Sequence, residues 1–161
     1  MTVMKNFENG GYRWPDEGLT HIPDWIYTSE DIYARERERI FLGETWNFVA
    51  LEAELPERAS FKRSYVGDVP VIVTRDQDGK FHVFENRCAH RGLEFCRAPK
   101  GAANEFICPY HQWTYDLSGR LIAVPFRRGD RGKGGMPADF DMSDHGTRRL
   151  RVEARGGVVF A

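Results

Sequence analysis

The stretch from Glu85 to Pro125 reads ENRCAHRGLEFCRAPKGAANEFICPYHQWTYDLSGRLIAVP and contains two short Cys/His motifs. Cys88 and His90 form the first motif, Cys-x-His, and seventeen residues separate it from the second. Cys108 and His111 form the second motif, Cys-x2-His. Strand-like sequence flanks both motifs, so each Cys/His pair is predicted to lie on a short loop. The pattern therefore predicts two loops that each offer one sulfur and one imidazole ligand.

The order of these ligands favours an iron–sulfur cluster over a zinc site. Zinc fingers group their cysteines and their histidines separately, because each hairpin or helix end supplies a like pair. Here each loop supplies one of each, so two thiolates can bind one iron and two imidazoles the other. Replacing two thiolates removes negative charge and raises the reduction potential to roughly −150 to +300 mV, from about −400 mV. A zinc-stabilised binding module with the same ligands is the alternative.

The sequence around the ligands resembles a known family. CAHRG and CPYHQWTYDLSG are similar to the Rieske segment in the large subunit of bacterial aromatic-ring-hydroxylating oxygenases. The runs VPFRRG, GGMPADFD and LRVEARGGVVFA are most similar to large subunits that act on carboxylated rings such as salicylate. The resemblance covers the chain from about Tyr27 to Ala161. Gln112 stands where most of the family has glycine, and the salicylate-type branch tolerates glutamine there.

The resemblance implies the fold and the domain organisation. We expect a mainly β, antiparallel Rieske-type sandwich or barrel over residues 45–161, with a cluster-binding subdomain at about 86–124. One N-terminal α-helix and an irregular lead-in are expected before it, over residues 1–44. Many short strands separated by turn signals point independently to an all-β sandwich or barrel.

The resemblance also implies a reaction and its partners. Electrons from NAD(P)H would pass through a reductase, a ferredoxin or both into the Rieske cluster. They would leave through His111 to an iron in a neighbouring large subunit, where O2 would hydroxylate an aromatic carboxylate. A small beta subunit and a trimer-based oligomer are expected. Mononuclear Fe(II) is the second cofactor of the family.

That second iron is not predicted to lie in this chain. In the family, two histidines close in sequence and a carboxylate hold it. The remaining histidines here, His21, His82 and His145, are scattered. We therefore expect no catalytic residue in the chain and a catalytic domain that is absent from it. A stand-alone Rieske-type ferredoxin is the other interpretation, although the long segments on both sides of the motifs argue against a small carrier.

Several neighbours are candidates to support the cluster. Arg91 and Gly92 follow the first histidine, and glycine lets backbone N–H groups approach cluster sulfides. Trp113 and Tyr115 lie two residues apart on one strand, so they are predicted to cover the same side of the cluster. Cys96 is off the ligand spacing and is predicted to be a buried free thiol.

Composition excludes several classes of function. The 161 residues suit one domain of ordinary size. With 23 Lys and Arg against 24 Asp and Glu, the net charge of −1 predicts neither nucleic acid nor an anionic membrane as a partner. Three cysteines cannot form a disulfide framework. No secretory signal or membrane-length apolar run is found, so a cytoplasmic location is expected.

The rest of the chain is read from periodicity and turn residues. A helix is predicted from a Thr28 cap to a stop at Gly43. Strands are predicted in residues 46–55, 60–67, 70–76 and 80–86, and hairpins in 112–124 and 150–161. The basic, glycine-rich stretch 127–135 lacks the ending of a phosphate-binding loop and is predicted to be a surface loop.

Overall fold

The computed structural model describes residues 14–16 and 18–161, and the chain separates into two units, Met1–Thr45 and Trp46–Ala161. The irregular lead-in predicted at the start of residues 1–44 lies partly outside the described residues. Its described part contains a 3-10 turn at Gly18–Thr20. Within the described residues, every helix is too short or too polar to span a lipid bilayer.

The first unit contains a broken helix rather than one continuous helix. Helix α1 spans Trp25–Thr28 and helix α2 spans Glu30–Glu36, and a π-helical segment follows at Arg37–Phe41. Ser29 separates α1 from α2 because its backbone is extended, with φ −84° and ψ 121°.

The predicted cap at Thr28 is therefore wrong, since Ser29 caps α2. Its side-chain oxygen accepts a hydrogen bond from Ile32 N–H at 3.4 Å. The Thr28 hydroxyl instead donates to the carbonyl of Asp24 at 3.0 Å, which ties it to α1. At the other end Leu42 is the C-cap, so Gly43 follows the helix as predicted. A Cβ at Gly43 would lie 2.2 Å from the carbonyl oxygen of Arg39, so only glycine fits this exit.

The second unit consists of three antiparallel sheets, as the fold class predicted. The first has the strand order β1-β11-β10, the second β5-β2-β3-β4-β9 and the third β6-β7-β8. The strands are β1 Phe48–Leu51, β2 Ser60–Val66, β3 Val69–Arg75, β4 Phe81–Glu85, β5 Lys100–Ala102, β6 Glu105–Ile107, β7 Thr114–Asp116, β8 Leu121–Ala123, β9 Arg149–Leu150, β10 Glu153–Arg155 and β11 Val158–Phe160.

Most of the predicted strands are confirmed, and one is too long. Strands β2, β3 and β4 and both predicted hairpins occur where turn residues bounded them. The strand predicted for residues 46–55 ends at Leu51, and a 3-10 turn follows at Glu52–Glu54. The Glu54 carboxylate accepts a hydrogen bond from Leu51 N–H at 2.9 Å, which closes that turn. Strands β5, β6 and β9 were not predicted, because two or three residues carry no readable periodicity.

Strand β3 is buried on both faces and separates two hydrophobic cores. Ile72 contributes to the core that contains Phe84, Phe106 and Tyr115. Its neighbours Val71 and Val73 point the opposite way into a core of aliphatic residues with Val159. The buried Thr74 hydroxyl donates to the Leu117 carbonyl at 2.6 Å and so joins the second sheet to the β7–β8 hairpin.

The β7–β8 turn is packed against the second sheet at Gly119. This glycine has φ +79°, and a Cβ there would lie 2.3 Å from Thr147 Oγ1 and 2.8 Å from Phe84 Cγ. Gly156, in the β10–β11 turn, has a similar φ of +60° with no atom within 4 Å of an added Cβ. A substitution at Gly156 therefore adds backbone strain alone, whereas one at Gly119 adds backbone strain and steric crowding.

We predict that Gly119→Ala destabilises the protein more than Gly156→Ala. The second change should cost only the left-handed strain, about 1 kcal/mol, while the first adds overpacking and should cost about 2 to 4 kcal/mol. Urea unfolding of both variants measures the difference. Equal losses would show that the turn can move away from Phe84.

Candidate metal centre

Two loops of the second unit bring together the residues that the sequence singles out. Residues 86–93 follow β4, and residues 108–113 connect β6 to β7. Buried Asn86 anchors the first loop: its amide nitrogen donates to the Cys96 carbonyl at 2.8 Å. Its amide oxygen accepts from Cys96 N–H at 2.9 Å. The first loop is thus fixed to the segment after it by a side chain that carries both bonds.

The two loops are closed by the same pair of backbone hydrogen bonds. Gly92 N–H donates to the Cys88 carbonyl at 2.7 Å, and Cys88 N–H donates to the Leu93 carbonyl at 2.9 Å. In the second loop, Gln112 N–H donates to the Cys108 carbonyl at 2.8 Å, and Cys108 N–H donates to the Trp113 carbonyl at 2.9 Å. Each cysteine is therefore held at the mouth of an equivalent turn.

The shared turn explains the residue after the second histidine. Gly92 has φ +71° and Gln112 has φ +59°, so both occupy the left-handed region. Glycine enters this region without a steric penalty, whereas a residue with Cβ is strained there. Gln112 thus takes the conformation that glycine favours, and the loop keeps the same closing bonds.

The loops place cysteine beside cysteine and histidine beside histidine. The Cys88 and Cys108 thiols interact with each other, and both are buried and free of disulfides. The rings of His90 and His111 lie with centroids 4.5 Å apart at an interplanar angle of 67°. His90 Nδ1 is buried and has no hydrogen-bond partner, which is an unfavourable state for a ring nitrogen unless a further group binds it.

The two sulfur atoms receive hydrogen bonds from different donors. Backbone N–H groups of Tyr110 and His111 point at Cys108, although burial is the larger effect and raises the pKa of its thiol. Cys88 Sγ lies 3.2 Å from the Tyr115 hydroxyl. That hydroxyl oxygen already accepts from Ala89 N–H at 3.0 Å, so its own proton is available to the sulfur.

The surroundings keep Tyr115 protonated and His90 neutral. Burial, and next the contact with Cys88, raise the pKa of the Tyr115 hydroxyl well above its usual value. Burial, followed by the nearby His111 and Arg91, lowers the pKa of His90. A neutral imidazole has a free ring nitrogen to offer a metal, and a protonated phenol remains a hydrogen-bond donor.

Aromatic rings pack around the histidines. Trp113 is buried and stacks on His90 with centroids 4.9 Å apart and an angle of 11°. Tyr110 lies over His111 at 3.8 Å, and the Arg91 guanidinium lies 5.9 Å from the Tyr110 ring centre. Trp113 and Tyr115 contact different residues: Trp113 lies on His90, whereas Tyr115 reaches Cys88 and stacks on Phe95 at 5.0 Å.

Sequence reasoning did not assign some of these neighbours to the site. Phe140 and His145 stack on each other at 4.5 Å and both lie 6.0 Å from Trp113. They come from a segment with no readable periodicity about thirty residues later. Tyr115 was expected beside the cluster, but its hydrogen bond with Cys88 was not, because that contact depends on the fold.

The remaining candidates lie away from this site or have no partner in it. His82 binds the Asp76 carboxylate through Nε2 at 2.6 Å, so it is a half-buried, paired residue of β4. Cys96 is a buried free thiol, as predicted. Its Sγ lies 3.6 Å from the Ala98 carbonyl oxygen. Among the described residues, no three His, Cys, Asp or Glu side chains converge as ligands of one ion.

A family model and several known proteins match this chain. The Rieske [2Fe-2S] domain model matches residues 45–132. The chain is 54% identical over 153 residues to the large oxygenase component of salicylate 5-hydroxylase from Ralstonia sp.. It is 52% identical over 148 residues to the large subunit of anthranilate 1,2-dioxygenase from Burkholderia cepacia. Both matches cover 92% of the chain, but it spans only 36% and 35% of these relatives.

A solved structure agrees in fold. Naphthalene 1,2-dioxygenase from Rhodococcus sp., bound to indole, matches with a TM-score of 0.75 and 36% sequence identity. The match covers 86% of this chain and 30% of that chain.

We predict that exchanging the left-handed residues of the two loops has opposite effects on stability. Gln112→Gly should raise the free energy of unfolding by about 1 kcal/mol, because it removes left-handed strain. Gly92→Gln, the matched change in the first loop, should lower the free energy of unfolding by a similar amount. It adds left-handed strain but no clash, because an added Cβ meets no atom within 4 Å. Urea unfolding checks both. A loss of stability in Gln112→Gly would mean that the glutamine side chain contributes more than its strain costs.

Proposed function

The chain belongs to the Rieske [2Fe-2S] domain family, and from that premise we propose that it accepts and passes on electrons through a two-iron, two-sulfur cluster. Cys88 and Cys108 would bind one iron, and His90 and His111 the other. One observation carries this proposal. Two loops with the same backbone hydrogen bonds bring the thiols together and the imidazoles together, and His90 Nδ1 is buried without a partner.

The donor set fits this group on chemical grounds. Thiolates and neutral imidazoles are the ligands of the Rieske cluster, in which two histidines bind one of the two irons. The thiols are not consumed in disulfides, and the lowered pKa of His90 leaves its ring neutral. When bound, the cluster supplies a centre that accepts a single electron and releases it again.

The chain's own residues would set how readily the site is reduced. The Tyr115 hydroxyl donates toward Cys88, and the N–H groups of Tyr110 and His111 point at Cys108. Hydrogen bonds to sulfur spread its negative charge and raise the reduction potential. Gly92 and Arg91 complete the first loop, and Trp113 holds the plane of the His90 ring by stacking.

We further propose that the whole protein is the oxygenase component of a ring-hydroxylating system acting on an aromatic carboxylate such as salicylate. The identities of 54% and 52% to oxygenase large subunits named for salicylate and anthranilate support this substrate class. Electrons would arrive from NAD(P)H through a ferredoxin, a reductase or both. They would leave by His111, whose ring is partly exposed beside Tyr110, toward a mononuclear iron held elsewhere in the assembly. A small beta subunit and other large subunits would complete it.

The relatives reported above favour this proposal over a stand-alone Rieske ferredoxin, since each is an oxygenase component or subunit. The proposal is tested by iron and acid-labile sulfide analysis of the anaerobically purified protein, with EPR spectra before and after dithionite. Two irons and two sulfides per chain, with an EPR signal only after reduction, are expected. A colourless protein that contains zinc and no sulfide would reject it.

We predict that Cys88→Ala, His90→Ala, Cys108→Ala and His111→Ala each lose most of the iron and sulfide. Each change removes one of only four ligands. Cys96→Ser is the matched control, because it alters a buried cysteine whose thiol has a backbone carbonyl, that of Ala98, as its hydrogen-bond partner. Iron and sulfide contents of the five variants decide the assignment, and loss of iron in Cys96→Ser alone would contradict it.

We predict that Tyr115→Phe lowers the reduction potential while the cluster remains bound. The change removes only the hydroxyl that donates toward Cys88 Sγ. Tyr110→Phe is the control, because that hydroxyl lies 3.5 Å from an Arg91 nitrogen and is not bonded to sulfur. Protein-film voltammetry measures both. If the two variants keep the same potential as the parent, the Tyr115 hydroxyl does not tune the cluster.

A further inference from the structure

The surface loop Phe126–Met136, FRRGDRGKGGM, contributes no residue to the proposed cluster site. It carries four cationic side chains, Arg127, Arg128, Arg131 and Lys133, and one carboxylate, Asp130. The net charge of the whole chain is −1, so the loop is a concentrated positive patch on a nearly neutral protein. All of these side chains except that of Arg127 belong to exposed residues.

The loop has a defined conformation. Gly129 N–H donates to the Phe126 carbonyl at 2.7 Å, and Met136 N–H donates to the Arg127 carbonyl at 3.0 Å. At its tip, Asp130 and Lys133 exchange both of their backbone hydrogen bonds at 3.0 Å. Met136 packs against the core that contains Trp113. The cations are therefore held on a closed turn, so docking would cost little further ordering.

Phe126 is exposed at the start of this loop in a strained conformation. Its side chain is 75% exposed and its φ is +54°, in the left-handed region that bulky residues rarely adopt. Arg131 is the second non-glycine residue of the loop in that region, with φ +50°. A strained backbone that holds an aromatic ring in water has no benefit for folding. Such conformations are concentrated in functional segments, and exposed aromatic residues beside arginine are typical anchors of protein interfaces.

The base of the loop adjoins rings that reach the cluster ligand. Met136, at the end of the loop, and Phe140 both pack against the core that contains Trp113. From His145 and Phe140 the ring contacts continue to Trp113, and Trp113 stacks on His90 at 4.9 Å. A protein seated on the loop would thus lie beside the histidine side of the site.

We propose that the Phe126–Met136 loop is the docking surface for an acidic protein electron carrier, with Phe126 as its apolar anchor. The inference rests on the proposed function, because it assigns the surface through which electrons reach the cluster. The cations would attract an anionic carrier and raise its association rate, an effect that salt weakens. Through Met136 and Phe140 the loop is joined to the core around Trp113, and Trp113 stacks on His90.

Stopped-flow reduction of the intact protein tests this proposal. The probe is a reduced acidic plant-type ferredoxin, whose all-thiolate cluster near about −400 mV provides the driving force. Arg128→Glu/Lys133→Glu should slow the second-order reduction about ten-fold or more at low salt and remove most of its salt dependence. Arg58→Glu/Arg155→Glu changes the net charge equally at exposed sites outside the loop and should have an effect of less than about two-fold. Equal slowing by both double variants would overturn the proposal, since net charge alone would then explain it.

Two further measurements separate docking from folding and from the cluster itself. Phe126→Gly should leave the Tm unchanged or raised, because glycine adopts a positive φ without strain, yet should slow reduction by the ferredoxin. An unchanged rate in this variant would contradict the anchor role. All variants should be reduced by methyl viologen radical at the parental rate.

If the parent protein holds no reducible cluster, the proposed function and the docking surface both fail. If the cluster is reduced normally by viologen but the loop variants react with ferredoxin at the parental rate, only the docking surface fails. A change of sedimentation coefficient in the loop double variant, with no change in the ferredoxin rate, would instead assign the loop to contacts between copies of this chain and would also overturn the proposal.

Discussion

The site depends on two pairs of backbone hydrogen bonds that turn the chain back on itself at Cys88 and at Cys108. In each turn, the cysteine carbonyl accepts from the residue four positions later, and the cysteine N–H donates to the residue five positions later. These bonds use the backbone groups of the cysteines, so the side chains are left to face each other. The left-handed residue at the fourth position makes the closure possible, and the rest of the site is arranged around the two turns.

The identical turns carry their histidines at different positions, two residues after Cys88 and three residues after Cys108. The second cysteine and histidine are therefore separated by one residue more than the first pair. Tyr110 is one of the two residues between them, and its ring covers His111. The two imidazoles have unlike surroundings as a result. His90 lies under a buried indole and has a buried Nδ1, whereas His111 is covered by an exposed tyrosine. The asymmetry suits a site where electrons arrive and leave by different routes.

The sequence was sufficient to predict the turns and the spacing, but not the contacts between distant segments. Asp-Gly, Ser-Gly and Gly-Gly pairs mark three hairpins because few other residues tolerate the conformation that their turns require. Cys88, His90, Cys108 and His111 could be selected because ligand order is a property of sequence alone. The pairing of Tyr115 with Cys88, and of Phe140 and His145 with Trp113, depends on sheet register and packing. The error at Thr28 has a similar cause, since Ser29 is an equally good cap and local sequence does not choose between adjacent candidates.

Strand β3 has a consequence for how the protein opens. Because Ile72 belongs to one core while Val71 and Val73 belong to the other, neither core can separate from the strand without exposing apolar surface. The two cores should therefore melt as one cooperative unit, and the amides of β3 should exchange with deuterium only through global unfolding. Strands β9 and β10 are short and lie at the edges of their sheets, so their amides should exchange earlier, through local fraying. The domain therefore combines a centre that opens only as a whole with edges that open locally.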